Sequence, residues 1–240
     1  KMTNKYESFN LEIEDNIANI ILSRPEQLNS MSRKFWVELP EILEEVNRNS
    51  EIRVLIISST GKHFCAGMDL SAFDNGVANI PKEKRPDNAR IGEALYRSAK
   101  ELQEYISKLE KIRVPVIAAI HGGCIGGAVD LVTACDIRLA TTDAFFCIQE
   151  INIGMAADVG TLQRLPRIIP DSKMRELAYT GRRMLADEAK ESGLVSDVYN
   201  SQEEMVNAAK EMANEIAKKS PIAIYGLKAL MNYSRDHTIS

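Results

Sequence analysis

No apolar run in the 240 residues approaches the roughly 20 needed to span a bilayer as a helix; the longest are pieces such as Val114 to Ile120. A membrane span is therefore excluded. Neither sign of charge dominates: 30 Lys plus Arg against 34 Asp plus Glu leave a net charge of −4. That balance argues against a general nucleic-acid binder, while a local basic patch for a phosphate-bearing ligand stays open. Cysteine and histidine are scarce. Cys65, Cys124, Cys135 and Cys147 form no CxxC pair, and His63, His121 and His237 are far apart. No metal site is expected from such spacing, and reduced thiols in a cytosolic or organelle-matrix protein are the simpler reading. The glycines match neither G-x-G-x-x-G nor a Gly-Lys-Ser/Thr phosphate loop, and no serine stands in G-x-S-x-G. A dinucleotide fingerprint, a P-loop and a nucleophile-elbow hydrolase are set aside. Internal repeats and low-complexity tracts are absent too. The chain opens on Lys1 with no apolar signal segment, and Ser234 to Ser240 carry no peroxisomal tripeptide and do not read as a domain end. Any targeting peptide is expected outside this sequence, and a further C-terminal segment is expected beyond it.

What is present is an alternation of strands and helices. Ile17 to Leu22 and Val54 to Ser58 are short Ile/Val-rich runs bounded by turn residues, and both are predicted as strands. Between them, Phe35, Leu39, Ile42, Leu43 and Val46 recur at helical spacing within Ser30 to Asn49. Leu95, Leu102, Tyr105, Ile106 and Leu109 repeat that spacing within Ala89 to Ile112. Val114 to Ile120 is predicted as a buried strand with Pro115 near its start, Gly126 to Cys135 as a short helix and Ile137 to Ala140 as another strand. The last third reads as helices over Ser172–Thr180, Ala186–Ser192, Glu203–Lys219 and Ile222–Tyr233. Asp74 to Asn88, with Gly76, Pro81 and Pro86, is expected as an exposed loop inserted within one domain. The pattern is α/β with a helical C-terminal part.

Two glycine-containing segments follow predicted strands: Gly61-Lys-His-Phe-Cys-Ala-Gly-Met-Asp-Leu70 and His121-Gly-Gly-Cys-Ile-Gly-Gly-Ala-Val-Asp130. Glycine there lets the backbone approach a ligand and leaves N–H groups free to point at it. The second segment enters a helix, whose first N–H groups and dipole favour negative charge. Each segment alone is equally readable as a tight turn. Among the acids, Asp130 lies one helical turn after Gly127 among Ala128, Val129, Leu131 and Val132. It is either a core polar group or a buried proton carrier. Glu150 reads as a solvated loop acid or a functional one, and Asp158 as the cap of the next helix or a functional acid. Asp136 and Asp143 are expected as turn and capping acids, and His121 as packed or backbone-bonded.

Together these residues resemble the crotonase family, also called the enoyl-CoA hydratase/isomerase family. The resemblance rests on His63-Phe-Cys-Ala-Gly-Met-Asp-Leu70, on Pro115-Val-Ile-Ala-Ala-Ile-His-Gly-Gly-Cys-Ile-Gly-Gly-Ala-Val-Asp-Leu131 and on Ala134-Cys-Asp-Ile-Arg138. It runs from Ile17 to about Tyr233. Within the family, the triple Asp130, Glu150 and Asp158 resembles the branch that isomerises 3,5-dienoyl-CoA to 2,4-dienoyl-CoA in fatty acid β-oxidation. Asp143-Ala-Phe-Phe, the run from Gly154 to Pro166 and Ser234-Arg-Asp-His237 point the same way.

The resemblance implies a spiral of β-β-α units over about residues 1–190, and a helical trimerisation region over about 191–240, in a single domain. It implies a homotrimer or hexamer in the mitochondrial matrix or peroxisome, an acyl-CoA thioester as substrate and no cofactor beyond that coenzyme A. An oxyanion hole is implied at the N–H groups of Ala66 and Gly127, with substrate lying along Ala66, Gly67, Met68, Asp69 and Leu70. Asp158 is implied as the base at C2 and Glu150 as the donor at C6. Asp130 stands where a hydratase has glutamate and is given a supporting electrostatic or hydrogen-bonding role. The alternatives are an enoyl-CoA hydratase, which would use two glutamates on a water and carry no acid at position 158, and a non-catalytic acyl-CoA-binding member, which would lack the acids.

Overall fold

The computed structural model describes residues 2–69 and 87–238. Leu70 and most of the expected loop, residues 74–86, lie outside the described residues. The main sheet has seven strands in the order β1-β2-β3-β4-β5-β7-β10. They are β1 (Met2–Lys5), β2 (Phe9–Glu14), β3 (Ile17–Leu22), β4 (Val54–Ser59), β5 (Val116–Ile120), β7 (Ile137–Thr141) and β10 (Asp197–Tyr199). β1, β2 and β3 form an antiparallel meander, and from β3 onward every pairing is parallel. A smaller sheet stacks β6 (Gly123–Ile125), β8 (Phe145–Cys147) and β9 (Met184–Leu185).

Parallel neighbours need crossovers, and helices supply them. α1 (Arg33–Arg48) joins β3 to β4, and α2 (Asn88–Lys111) precedes β5. Ser32 caps α1 by accepting the Phe35 N–H. The helical stripe Phe35, Leu39, Ile42, Leu43 and Val46 is buried to 1% exposure or less, and each such side chain contributes about 1.5–3 kcal/mol. β4 and β5 are buried on both faces. Leu55, Ile57, Val116, Ala118 and Ile120 enter the main core, while Val54, Ile56, Ile117 and Ala119 meet Met205, Ala209 and Ala213 of α7 (Gln202–Ala217). That two-sided burial explains their unbroken apolar runs.

The strand expected from Val114 starts at Val116. Proline has no N–H for the ladder, and only the Pro115 carbonyl takes part, accepting from Leu55 at 2.9 Å. The expected loop ends earlier than Asn88: Asp87 caps α2 by accepting the Arg90 N–H, and Asn88 is already helical. β1, β2 and the short strands β6, β8, β9 and β10 were not anticipated. The remaining helices are α3 (Gly127–Thr133), α4 (Thr161–Arg164), α5 (Asp171–Thr180), α6 (Ala186–Glu191) and α8 (Pro221–Asp236). β10 and α7, both beyond residue 190, pack onto the sheet. α8 is moored by the buried Lys228, which donates to Leu109 O, Val114 O and Asp136 Oδ2. Its Ile222, Tyr225, Leu227, Leu230, Met231 and Tyr233 remain more than half exposed.

Candidate active site

Two loops leave the C-terminal ends of the parallel strands β4 and β5, where α/β sheets open their crevices. Asn29 fixes the first. Its buried side chain donates to Thr60 O at 2.7 Å and His63 O at 3.0 Å. The loops then zip together: Phe64 N–H donates to His121 O, Cys65 N–H to Gly123 O and Ile125 N–H back to Cys65 O. His63 Nδ1 accepts the Gly123 N–H at 2.9 Å. Burial, with Lys62, His121 and Arg183 adding, holds the His63 imidazole below its usual pKa and keeps that nitrogen an acceptor. His121 is buried and backbone-bonded, Nε2 to Gly61 O at 2.8 Å, with Nδ1 3.5 Å from the equally buried Ser59 Oγ. All four cysteines are buried free thiols.

Three of the four amides from Ala66 to Asp69 are already engaged. Ala66 N–H is occupied, donating to Leu28 O at 3.0 Å. Gly67 N–H reaches Cys65 Sγ at 3.4 Å, and Asp69 N–H donates to Met31 O at 3.1 Å. Among the described residues, none accepts the Met68 N–H. The same holds for Gly127 N–H, at the first position of α3, where no intrahelical acceptor exists. The two loops touch at this point. A Cβ on Gly67 would lie 3.6 Å from Gly127 N, and one on Gly127 would lie 3.9 Å from Met68 N. Gly67 has φ +89°, and its Cβ would stand 2.6 Å from Ile125 O, so only glycine fits. Gly127, expected in the oxyanion hole, has an N–H with no acceptor among the described residues. The expectation for Ala66 is corrected: its N–H is taken by Leu28 O, and the first-loop amide with no acceptor among the described residues is two residues on, at Met68. Residue types alone do not tell where an N–H points, and Gly67 at the turn was the available signal. Trp36 Nε1–H donates to Met68 Sδ at 3.2 Å, holding the Met68 side chain against the core.

The three acids occupy three environments. Asp130, on α3, is 1% exposed and accepts the Thr161 N–H at 2.6 Å. Burial pushes its carboxyl up to about 7, Glu150 adding to the rise while the Thr161 bonds and Arg164 oppose it. Glu150 lies in the short 3-10 helix Gln149–Ile153 after β8. Its Oε1 is 3.3 Å from where a Cβ on Gly126 would stand, so it adjoins the start of α3. Its Oε2 is buried, with no hydrogen-bond partner among the described residues. Burial, aided by the charge of Asp158, raises its pKa. Asp158 is exposed between buried Ala157 and Val159, an in–out–in alternation that turns its carboxylate away from the core. It does not cap α4. The cap position is Gly160, with no side-chain bond, and the first helical N–H is taken by Asp130. Asp136 accepts the Val116 N–H and the Lys228 ammonium, and Asp143 accepts from Thr141, both structural.

A cavity of about 500 Å³ opens among α2, α4 and α8, lined by Gln103, Arg164 and Arg235 among others. Neither the Met68 and Gly127 amides nor Asp130, Glu150 and Asp158 line it, and its arginines are already paired. Among the described residues no cluster of three or more His, Cys, Asp or Glu could hold a metal ion. No described helix is long and apolar enough to cross a membrane.

Comparison with known proteins agrees with this architecture. The family model described as enoyl-CoA hydratase/isomerase matches residues 12–239. A mitochondrial Δ(3,5)-Δ(2,4)-dienoyl-CoA isomerase of Rattus norvegicus is 45% identical over 236 residues, covering 98% of this chain and 71% of the relative. A peroxisomal protein of the same description from Arabidopsis thaliana is 43% identical over 226 residues, covering 94% of this chain and 81% of its own. The crystal structure of an enoyl-CoA hydratase from Bacillus anthracis superposes with a TM-score of 0.85 at 31% identity, covering 97% of this chain and 85% of that one.

Proposed function

The chain belongs to the enoyl-CoA hydratase/isomerase family, and from that membership we propose that it is an isomerase converting 3,5-dienoyl-CoA into 2,4-dienoyl-CoA in fatty acid β-oxidation. The relatives' printed names support the substrate class. The thioester oxygen sits between the N–H groups of Met68 and Gly127, with the acyl-CoA running along Ala66 to Leu70. Asp158 takes the proton from C2. The C–H electron pair moves into a dienolate whose negative oxygen the two amides hold, a kind of stabilisation typically worth about 3–4 kcal/mol per donor. Glu150 then gives its proton to C6. One C–H bond breaks at C2 and one forms at C6, the double bonds move to C2 and C4, and a proton passing back from Asp158 to Glu150 resets the site. The reaction as written takes no cofactor.

The observation that carries this reading is the contrast between the two outer acids. Glu150 has a buried, unpartnered oxygen and a raised pKa, which favours the protonated form a donor needs. Asp158 has a solvent-facing carboxylate suited to accept. Asp130 plays neither part; its Oδ1 is committed to Thr161 N–H. That commitment, with an acid at position 158, weighs against the hydratase reading. The protein acts as one domain, in the mitochondrion or peroxisome. Its exposed α8 face supports assembly into a trimer or hexamer, which light scattering on the purified protein tests. The function is tested by adding 3,5-dienoyl-CoA and following the conjugated 2,4-dienoyl absorbance. A rise is expected; hydration of 2-enoyl-CoA without it would overturn the reading.

A further inference from the structure

We propose that a polar stripe on α2, made by Gln103, Ser107 and Glu110, is the positioning element for Asp158, with Gln103 the residue that fixes its backbone. The inference rests on the reading of Asp158 as the base.

Asp158 lies on residues 155–158, which belong to no helix or strand. No ladder of backbone bonds holds the base in place. Its carbonyl is instead taken by a side chain 55 residues away: Gln103 Nε2–H donates to Asp158 O at 2.7 Å. Gln103, Ser107 and Glu110 stand at i, i+4 and i+7, one line along the helix, beside the apolar line of Ile106 and Leu109 that anchors α2 in the core.

The next two members of the stripe hold the far end of the same segment. Arg164, the last residue of α4, donates through Nη2 to Ser107 Oγ at 3.0 Å and to Glu110 Oε2 at 3.1 Å. Its Nε lies 3.0 Å from Glu110 Oε1, and both side chains are at most 15% exposed. Burial alone would raise the Glu110 pKa, yet Arg164 and Arg235 outweigh it and hold the carboxyl below its usual value. The guanidinium closes over the turn that follows the base; a Cβ on Gly160 would stand 1.8 Å from Arg164 Nη1. Ser107 links the rungs, donating to Gln103 O at 2.7 Å while accepting from Arg164. Both ends of the Asp158–Arg164 segment are thus tied to one rigid helix. Asp130 pins its middle from the other side through Thr161 N–H. A base works only within hydrogen-bond reach of the proton it removes, so the tie at the Asp158 carbonyl sets a distance that matters to turnover.

Gln103→Met keeps the length and bulk of the side chain and deletes the donor. Its kcat is expected to fall about ten- to a hundred-fold, the scale of a 1 Å misplacement, with KM within about two-fold of wild type. The melting temperature is expected to move by no more than about 2 °C, as for a half-exposed hydrogen bond. The isotope effect on C2-deuterated 3,5-dienoyl-CoA should grow, because the step that slows is removal of the C2 proton. Gln103→Lys restores a donor and should recover most of the lost kcat. Wild-type kcat and isotope effect in Gln103→Met would overturn the proposal. So would a loss of activity that follows a large drop in melting temperature with an unchanged isotope effect. Wild type and Asp158→Asn are run alongside. If wild type does not isomerise, or Asp158→Asn does, the base assignment fails and this proposal with it. If both behave as expected and Gln103→Met equals wild type, the positioning role alone fails.

Discussion

The carboxylate of Asp130 and the amide of Thr161, 31 residues apart in sequence, meet at 2.6 Å in the interior. The acid of one helix thereby serves as the cap of another, whose own cap position, Gly160, has no side chain to offer. Thr161 is 1% exposed, so without Asp130 its N–H would be buried and unpaired.

This pair gives a pH dependence of defined sign. The folded pKa of Asp130 is about 7, above the ordinary 3.8. A raised carboxyl pKa contributes stability that is full below the unfolded value and is lost as pH rises through the folded one. Asp130→Asn cannot ionise but still offers an oxygen to Thr161. Denaturant titrations across about pH 4 to 8 should show wild type losing stability relative to this variant up to about pH 7, after which the gap widens no further. A constant gap across the range would show that Asp130 does not titrate there.

Asp158→Asn separates a base from a structural acid. Because Asp158 makes no capping bond to α4, the melting temperature should stay within about 1 °C of wild type. Isomerase kcat should fall by about 10²–10⁴, the usual contribution of a general base. Melting curves and assays on the same preparation decide the matter.

Glu150→Gln should lose isomerisation, since an amide cannot donate to C6 as a carboxylic acid does. Asp158 would still remove the C2 proton and return it. In deuterated water, 3,5-dienoyl-CoA recovered from this variant should carry deuterium at C2 and keep its double bonds in place, while Asp158→Asn gives neither change. Mass spectrometry and NMR of the recovered thioester read both results. Normal turnover in Glu150→Gln would reverse the assignment of roles.

The Gly127 amide is tested by a pair of variants. Gly127→Ala adds a Cβ 2.9 Å from Met31 Sδ but keeps the N–H. Gly127→Pro shares that Cβ, replaces the N–H by a ring carbon and so removes the donor, at a helix position where proline is tolerated. Turnover of the proline variant should lie about 10²–10³ below that of the alanine variant, the cost of one oxyanion donor. Equal turnover in two folded proteins would remove Gly127 from the hole.

The elements carried by a strong period were readable in advance. β3, β4, α1 and α2 announced themselves through Ile/Val runs and through the 3.6-residue recurrence of Phe35, Leu39, Ile42 and Val46. β2 also carried a signal, the alternation Phe9, Leu11, Ile13, which went unread. β1 is a polar edge strand, and β6, β8, β9 and β10 run two or three residues each, too short for any period to register. In the site, residue type and position nominated Gly127 and the three acids as candidates, and only the family resemblance gave them roles. Met68 was not nominated as a donor, since an amide donor is chosen by φ and ψ rather than by side chain. Gln103 was hidden for another reason: its contact with Asp158 spans 55 positions and exists only once α2 packs beside α4.

An oxyanion hole built from the main chain has a mutational signature of its own. The donor proposed at position 68 would be present in every amino acid except proline, so exhaustive substitution there should be nearly silent in activity, apart from the Trp36 contact to its sulfur. One position earlier, where φ is +89° and Ile125 O leaves no room for a Cβ, almost nothing but glycine should survive. The loop's function would then depend on its path at position 67 and hardly at all on the side chain at position 68.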